Sequence, residues 1–340
     1  MKSSRFDLSK LRGANNEGVL ALILVLLILV MTVANPGFFT AGTFFSVLRA
    51  SIVPMIFALG VLIVIISGGI DVSFPAIAIF AAYTTVMMLE NGAPDVGLIG
   101  VLVIASVLGA LLGLINGGLI AQFKLPTLIV TLGTQGIFKG FLLAYVGSQY
   151  LADLPTSMAQ FSTMNLITVG GAGLHILVVP AIVLCVVVHL MLRNTMFGRG
   201  IYAIGDDTEA ARRAGFSVRK TQVSLYVLVG ILAAFGGVVH VTLTRSANPQ
   251  DLLGTELDII AAVVLGGASI FGGRGSVLGT VLGVLLIQLI NNSLILMGIP
   301  SAWQRTAVGL LLVIGVGVQA VSARRASKRV FVHKEAVPQS

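Results

Sequence analysis

The groups in this chain that could do chemistry are few, and they stand in apolar surroundings. Asp71 follows the pair Gly68–Gly69 in "VIISGGIDVS"; Asn116 lies in "LLGLINGGLI"; Thr131, Thr134, Gln135 and Lys139 share one apolar run; Gln288, Asn291, Asn292 and Ser293 share another. Neutral amides and hydroxyls both donate and accept hydrogen bonds, so a set of them along a passage suits a solute with many hydroxyls. Their alternative use is bridging neighbouring helices, because polar groups inside apolar segments are costly unless they meet a partner or water. The patterns of catalysis are missing. The four histidines, His175, His189, His240 and His333, show no metal-ligand spacing, and no nucleophile–base or paired-carboxylate arrangement stands out. No phosphate-cradling G-x-x-x-x-G-K-[ST] loop occurs; "GTQGIFKG" at 133–140 has the wrong spacing and lies within an apolar run. The single cysteine, Cys185, excludes an internal disulfide.

The elements that hold these groups are apolar almost throughout. The 340 residues are 56% hydrophobic and only 10% charged, less than half the charge of an ordinary soluble domain. Apolar runs recur at the length a helix needs to cross a bilayer, about 20 residues, and the short alternating segments of a membrane β-barrel are absent. The sequence predicts an all-α, polytopic membrane protein with about ten transmembrane helices, near 18–34, 47–67, 73–89, 97–121, 126–147, 174–192, 222–243, 257–271, 276–297 and 303–321. Residues 1–17 form an N-terminal segment, 18–321 one transmembrane domain, and 322–340 a basic tail. The run from Val19 to Ala34 reads as a retained first span rather than a cleaved signal.

Charge sets the orientation. With the N-terminus in the cytoplasm, 17 of the 21 basic residues fall on inside segments, which fits the positive-inside rule, an even number of spans and both termini cytoplasmic. The net charge of +8 therefore speaks for topology and anionic lipid rather than nucleic acid. Because span 2 enters from outside and span 7 from inside, a repeat of helices 2–5 in helices 7–10 would be inverted, a common arrangement in transporters.

One stretch is unlike the rest. "GRGIYAIGDDTEAARRAGFSVRK", from Gly198 to Lys220, holds eight charged residues in 23 and lies in the inside loop 193–221. Asp206, Asp207 and Thr208 are N-cap and first-turn residue types, Glu209–Ala210–Ala211–Arg212–Arg213–Ala214 favours helix, and Gly215 suits the left-handed position beyond its end. The acids lie first and the arginines last, as the helix dipole prefers, and Glu209 can pair with Arg212 or Arg213. A helix this short is marginal alone, so the rest of the inner face or a partner should hold it.

This stretch, together with "VIISGGIDVS", "ALLGLINGGLIAQFKLPTLIVTLGT" and "ELDIIAAVVLGGASIFGGRGSVLGT", closely resembles bacterial ABC-importer permeases of the ribose and autoinducer-2 type. The resemblance implies a bacterial inner-membrane subunit that forms the translocation path for a small polar solute, a monosaccharide or related polyol. It implies that Asp206 through Gly215 is a coupling helix seated on a separate ATPase subunit, which would bind ATP and Mg²⁺, so that this chain is not itself an enzyme and carries no cofactor. It further implies a second permease chain and an extracytoplasmic solute-binding protein as partners, and a place for Asp71 in a turn near the cytoplasmic gate. Phe74–Pro75 departs from the small residues expected after that turn. The rival reading is a proton-coupled secondary transporter with Asp71 and Lys139 as its ionisable pair.

Overall fold

In a computed structural model, the chain is described over residues 17–35, 37–90, 92, 94–300, 303–306, 308–310, 313 and 317. Twelve helices carry most of these residues: α1 Glu17–Ala34, α2 Ala41–Ile66, α3 Phe74–Glu90, α4 Gly97–Phe123, α5 Thr127–Val146, α6 Thr156–Phe161, α7 Val178–Asn194, α8 Met196–Asp206, α9 Thr208–Arg213, α10 Val218–Thr244, α11 Glu256–Leu265 and α12 Val277–Leu296. Six of them (α1, α2, α4, α5, α10 and α12) are long and apolar enough to cross a membrane, and the α7–α8 pair, bent by 72°, makes a seventh if counted as one span. The predicted spans at 18–34, 47–67, 97–121, 126–147, 222–243 and 276–297 coincide with those six. Of the span expected at 303–321, residues 303–306 and 308–310 are helical; most of the remainder, with the N-terminal segment and the basic tail, lies outside the described residues.

Two expectations need correction. The chain is not purely α: β1 Asn165–Val169 and β2 Ala172–His175 form an antiparallel hairpin. Gly170 and Gly171 both have positive φ (58° and 82°), the requirement of a two-residue hairpin turn. The predicted span at 174–192 therefore begins later, at Val178. The span expected at 257–271 is also shorter, because α11 stops at Leu265. Gly267, at φ 92°, turns the backbone left-handed; its N–H bonds to the Val264 carbonyl, and that of Ala268 to Val263, which closes the helix.

Helix α2 is the axis of the fold. From Ser51 to Ile66 every residue but Pro54 is buried, as a helix apolar on all sides should be. It packs against α10, α12, α11 and α7. Helices α4 and α10 meet backbone to backbone. A Cβ on Gly109 would lie 2.2 Å from the Gly230 carbonyl oxygen, and one on Gly113 2.2 Å from that of Tyr226. Small residues at four-residue spacing give this close crossing its van der Waals contact. Helix α1 stands outside this core, burying only Leu20 and Met31. Pro75, the departure noted above, fits the first turn of α3, where its missing N–H costs no helical bond.

Candidate functional site

The charged loop folds as two short helices across the end of the bundle. The chain leaves α7 at Thr195, whose hydroxyl donates to the Met191 carbonyl (2.7 Å) and accepts the Gly198 N–H (3.0 Å), capping α8. Gly198, Gly200, Ile201 and Ile204 are the buried face of α8. Asp206 closes α8 rather than opening the next helix, a correction to its expected capping role. Asp207 alone is the cap of α9: its Oδ1 accepts the N–H groups of Glu209 (2.8 Å) and Ala210 (3.0 Å). Those bonds, with Ala210 the stronger influence, hold its carboxyl below the usual range. Thr208 donates back to the Ile204 carbonyl at 3.0 Å. At the other end Gly215 takes φ 92°, its N–H reaches Arg212 and that of Phe216 reaches Ala211, a Schellman closure. Glu209 and Arg212 pair at 2.8 Å, too exposed for the pair to add much stability. Of α9 only Ala211 is buried. Asp207, Thr208, Glu209, Ala210, Arg212, Arg213, Ala214 and Gly215 all face outward.

What fixes this unit to the bundle is a junction of glycines. A Cβ on Gly205 would come within 1.8 Å of the Ile66 carbonyl oxygen at the end of α2, and one on Gly272 within 2.4 Å of the Gly205 oxygen. The same Ile66 carbonyl accepts the Gly273 N–H at 2.9 Å. Gly68 (φ 84°), Gly272 (89°) and Gly273 (72°) are all left-handed, so side chains are disfavoured by conformation at all three and excluded by space as well at Gly272. Tyr202 of α8 adds a hydroxyl bond to the Gly275 carbonyl at 2.7 Å. The end of α2, the loop between α11 and α12, and the α8–α9 unit therefore touch at one point. Where Gly205 meets Ile66 and Gly272 the backbones touch with no side chain between them, so little there can absorb a displacement of α8.

Immediately beyond the junction is a buried polar turn. Gly69 is buried against Thr127, whose hydroxyl accepts the Ile70 N–H at 2.9 Å; Thr131 accepts that of Val72 at 3.3 Å. Asp71 Oδ1 accepts both the backbone N–H and the hydroxyl of Ser73, each at 2.7 Å. Asn116 of α4 donates to the Ser73 hydroxyl at 2.8 Å. Asp71, Ser73, Asn116 and Thr131 are each at most 1% exposed, so the turn is a packed structural element. Asp71 and Lys139 form no ion pair.

The remaining predicted path residues scatter. Thr134 is buried and donates to the Thr131 carbonyl at 3.3 Å. Gln135 donates to Glu256 Oε1 at 2.5 Å, joining α5 to the first turn of α11. Gln288, Asn291 and Asn292 lie half-buried on α12, away from the Asp71 turn; the side-chain carbonyls of Asn291 and Asn292 have no protein partner. The structure thus joins Gly68, Gly69, Asp71 and Asn116, adds Thr134 and Gln135 on α5 beside them, and leaves the α12 amides apart. Sequence reasoning missed Gly205, Tyr202 and Glu256. The acid at the head of "ELDIIAAVV" was a visible signal for Glu256; nothing in the local pattern distinguishes Gly205 from the other glycines.

The profile of the family described as "Branched-chain amino acid transport system / permease component" matches residues 43–316. The chain belongs to this permease family. Among curated proteins it is 35% identical over 301 residues to the ribose import permease protein RbsC of Bacillus subtilis, covering 86% of this chain and 89% of the relative. It is 30% identical over 298 residues to the autoinducer 2 import system permease protein LsrC of Yersinia pseudotuberculosis, covering 88% and 83%. The corresponding LsrC of Yersinia enterocolitica is 31% identical, covering 88% and 81%. No solved structure matches significantly. The chain is accordingly a multi-pass permease of the bacterial inner membrane, a transport subunit rather than an enzyme.

Proposed function

We propose that this permease imports a monosaccharide or related polyol, driven by ATP hydrolysis in a separate subunit that docks on α9. The observation that carries the reading is the glycine junction. It joins α8, which carries the exposed, capped, charged helix α9 at its end, to the end of α2 and to the loop between α11 and α12. Closure of two ATPase subunits would move α9 and α8, and the backbone contacts at Ile66, Gly205 and Gly272–Gly273 would pass that motion on. ATP then shifts the population between inward- and outward-open states through its unequal affinity for the two.

In this reading the chain crosses the membrane ten times. The six long helices are joined by α3, α7, α11 and the segment 303–321, both termini are cytoplasmic, and spans 2–5 (α2 to α5) and 7–10 (α10, α11, α12 and 303–321) form an inverted repeat. The distribution of basic residues supports that orientation. ATP and Mg²⁺ would be bound by the partner, a second permease chain would complete the pathway, a secreted binding protein would deliver the solute, and anionic lipid would meet the basic tail. The ribose and autoinducer 2 systems named for the relatives support a small hydroxylated solute.

The test is co-purification of the tagged chain with an ATP-binding subunit in mild detergent, beside the Arg212→Glu/Arg213→Glu variant. Recovery by wild type and loss by the variant supports the reading. Recovery of no such subunit by a folded wild-type chain would sink it, and uptake abolished by collapsing the proton gradient rather than by depleting ATP would favour a secondary transporter.

A further inference from the structure

The end of α2 remote from the junction borders a cavity that none of the predicted path residues lines. Its volume is about 520 Å³, and Ser46, Arg49 and Phe57 of α2, His240 and Thr244 of α10, and Thr255 are among the residues lining it. Small-molecule sites are typically about 300–1,000 Å³. The cavity of about 450 Å³ between α1, α2 and α12, by contrast, is walled by Leu24, Ile28, Phe38, Phe44, Leu285 and Leu289 with hardly a polar atom, an environment for acyl chains rather than for a polar solute.

The backbone beside the 520 Å³ cavity is of the kind that forms transport sites. Helix α11 has ten residues and is about 15 Å long, half of a hydrocarbon core of about 30 Å. The chain before it, from Arg245 to Thr255, is not helical. Leu252 (φ 66°) and Gly254 (φ 81°) turn it left-handed, and it folds back along α10, so that Asp251 Oδ2 lies 3.2 Å from His240 Nε2. That is about one helical turn inside the end of α10. Unwound segments next to a shortened helix are where transporters gather the groups that contact solute.

We propose that this cavity is a solute-receiving site of the permease, and that Arg49 and His240, the latter positioned by Asp251, read a neutral, polyhydroxylated solute. A cation would face the Arg49 guanidinium. A neutral solute with adjacent hydroxyls suits the lining: Arg49 donates, the His240 ring nitrogen not engaged with Asp251 accepts, and Ser46 does either. Phe57 supplies an apolar wall for the C–H face of a sugar ring. Arg49 spends one N–H on the Leu243 carbonyl at 3.4 Å, which steadies the guanidinium and leaves its other donors for solute. From Arg49 to Ile66 is 17 residues of α2, about 25 Å along the helix, so one continuous helix joins this site to the junction moved by α9.

The inference rests on the importer reading, and the experiment separates the two. The complete importer, in right-side-out membrane vesicles, is tested for ATP-dependent uptake of radiolabelled monosaccharides (D-ribose, D-xylose, D-galactose) and of ribitol, with Arg49→Ala, His240→Ala and Asp251→Asn beside wild type. Loss of one charge-assisted hydrogen bond predicts KM raised about tenfold, kcat nearly unchanged and ATPase-subunit recovery intact. In a Cys185→Ala background, Ser46→Cys should react with an impermeant maleimide from outside, and the transported solute should slow that reaction. Wild-type uptake with KM unaltered in all three variants, or a Ser46→Cys thiol that is unreactive or unprotected, overturns the site alone. Failure of wild type to take up any of the four solutes overturns the sugar reading and this assignment with it.

Discussion

Gly205 lies so close beneath the Ile66 carbonyl that a methyl group on it would stand 1.8 Å from that oxygen. No rotamer relieves such an overlap, since a Cβ has no freedom to turn away. The contact sets α8 directly against the backbone at the end of α2.

Gly205→Ala should therefore push α8 off the junction, at an overpacking cost of about 1–3 kcal/mol. The α9 surface stays intact, so an ATP-binding partner should still be recovered while uptake falls by at least about tenfold. Full uptake by the variant would remove the junction from the mechanism.

The cap of α9 makes a pH prediction. Backbone donors from Ala210 and Glu209 depress the Asp207 carboxyl, so its contribution is present above the unfolded value, about 3.9, and is lost as pH falls through the lower folded one. Partner recovery should not change through this group across the neutral range. Asp207→Ala should weaken it at every such pH, and Asp207→Asn, which keeps a capping oxygen, should restore it. Pull-downs at several pH values would decide, and a wild-type loss near neutrality traced to Asp207 would contradict the geometry.

Glu256 is 8% exposed and accepts from Gln135 at 2.5 Å. Gln135→Ala leaves the carboxyl without that donor and should cost about 1–3 kcal/mol, read as a lower melting temperature in detergent. Glu256→Gln keeps a hydrogen-bonding oxygen and should lose less. Equal melting temperatures for all three proteins would show that the α5–α11 bridge holds nothing.

Ser73 links Asp71 to Asn116, with 2.7 Å and 2.8 Å contacts. Asn116→Ala and Ser73→Ala should each destabilise by about 1–3 kcal/mol, and their double mutant should fall short of the sum. Additive effects in a thermal-unfolding cycle would mean that the two side chains do not act as one network.

The hairpin at 165–175 shows why part of the fold was not legible. "TVGGAGLH" carries a Gly–Gly turn signal, but it is a short local feature beside a much longer apolar run, and hydropathy extends the run into it. Helix α11 was overextended for the same reason: "SIF" is apolar, yet Gly266–Gly267 had already ended the helix. Gly215 and the i,i+3 pair of Glu209 with Arg212 were legible because they depend only on residues within one or two turns.

By itself the sequence determined the membrane class, six of the crossing helices, the charged loop with its capped second helix, and the break at Gly68–Gly69 that ends α2. Those follow from hydropathy, charge and local backbone chemistry, which act over neighbouring residues. Only the tertiary structure decided that Gly205 meets Ile66, that Gln135 meets Glu256, that His240 meets Asp251, and that Asn291 and Asn292 stand apart from Asp71. The Gln135–Glu256 and His240–Asp251 pairs join residues 121 and 11 positions apart, and a separation in sequence carries no record of which helix faces which until the helices pack.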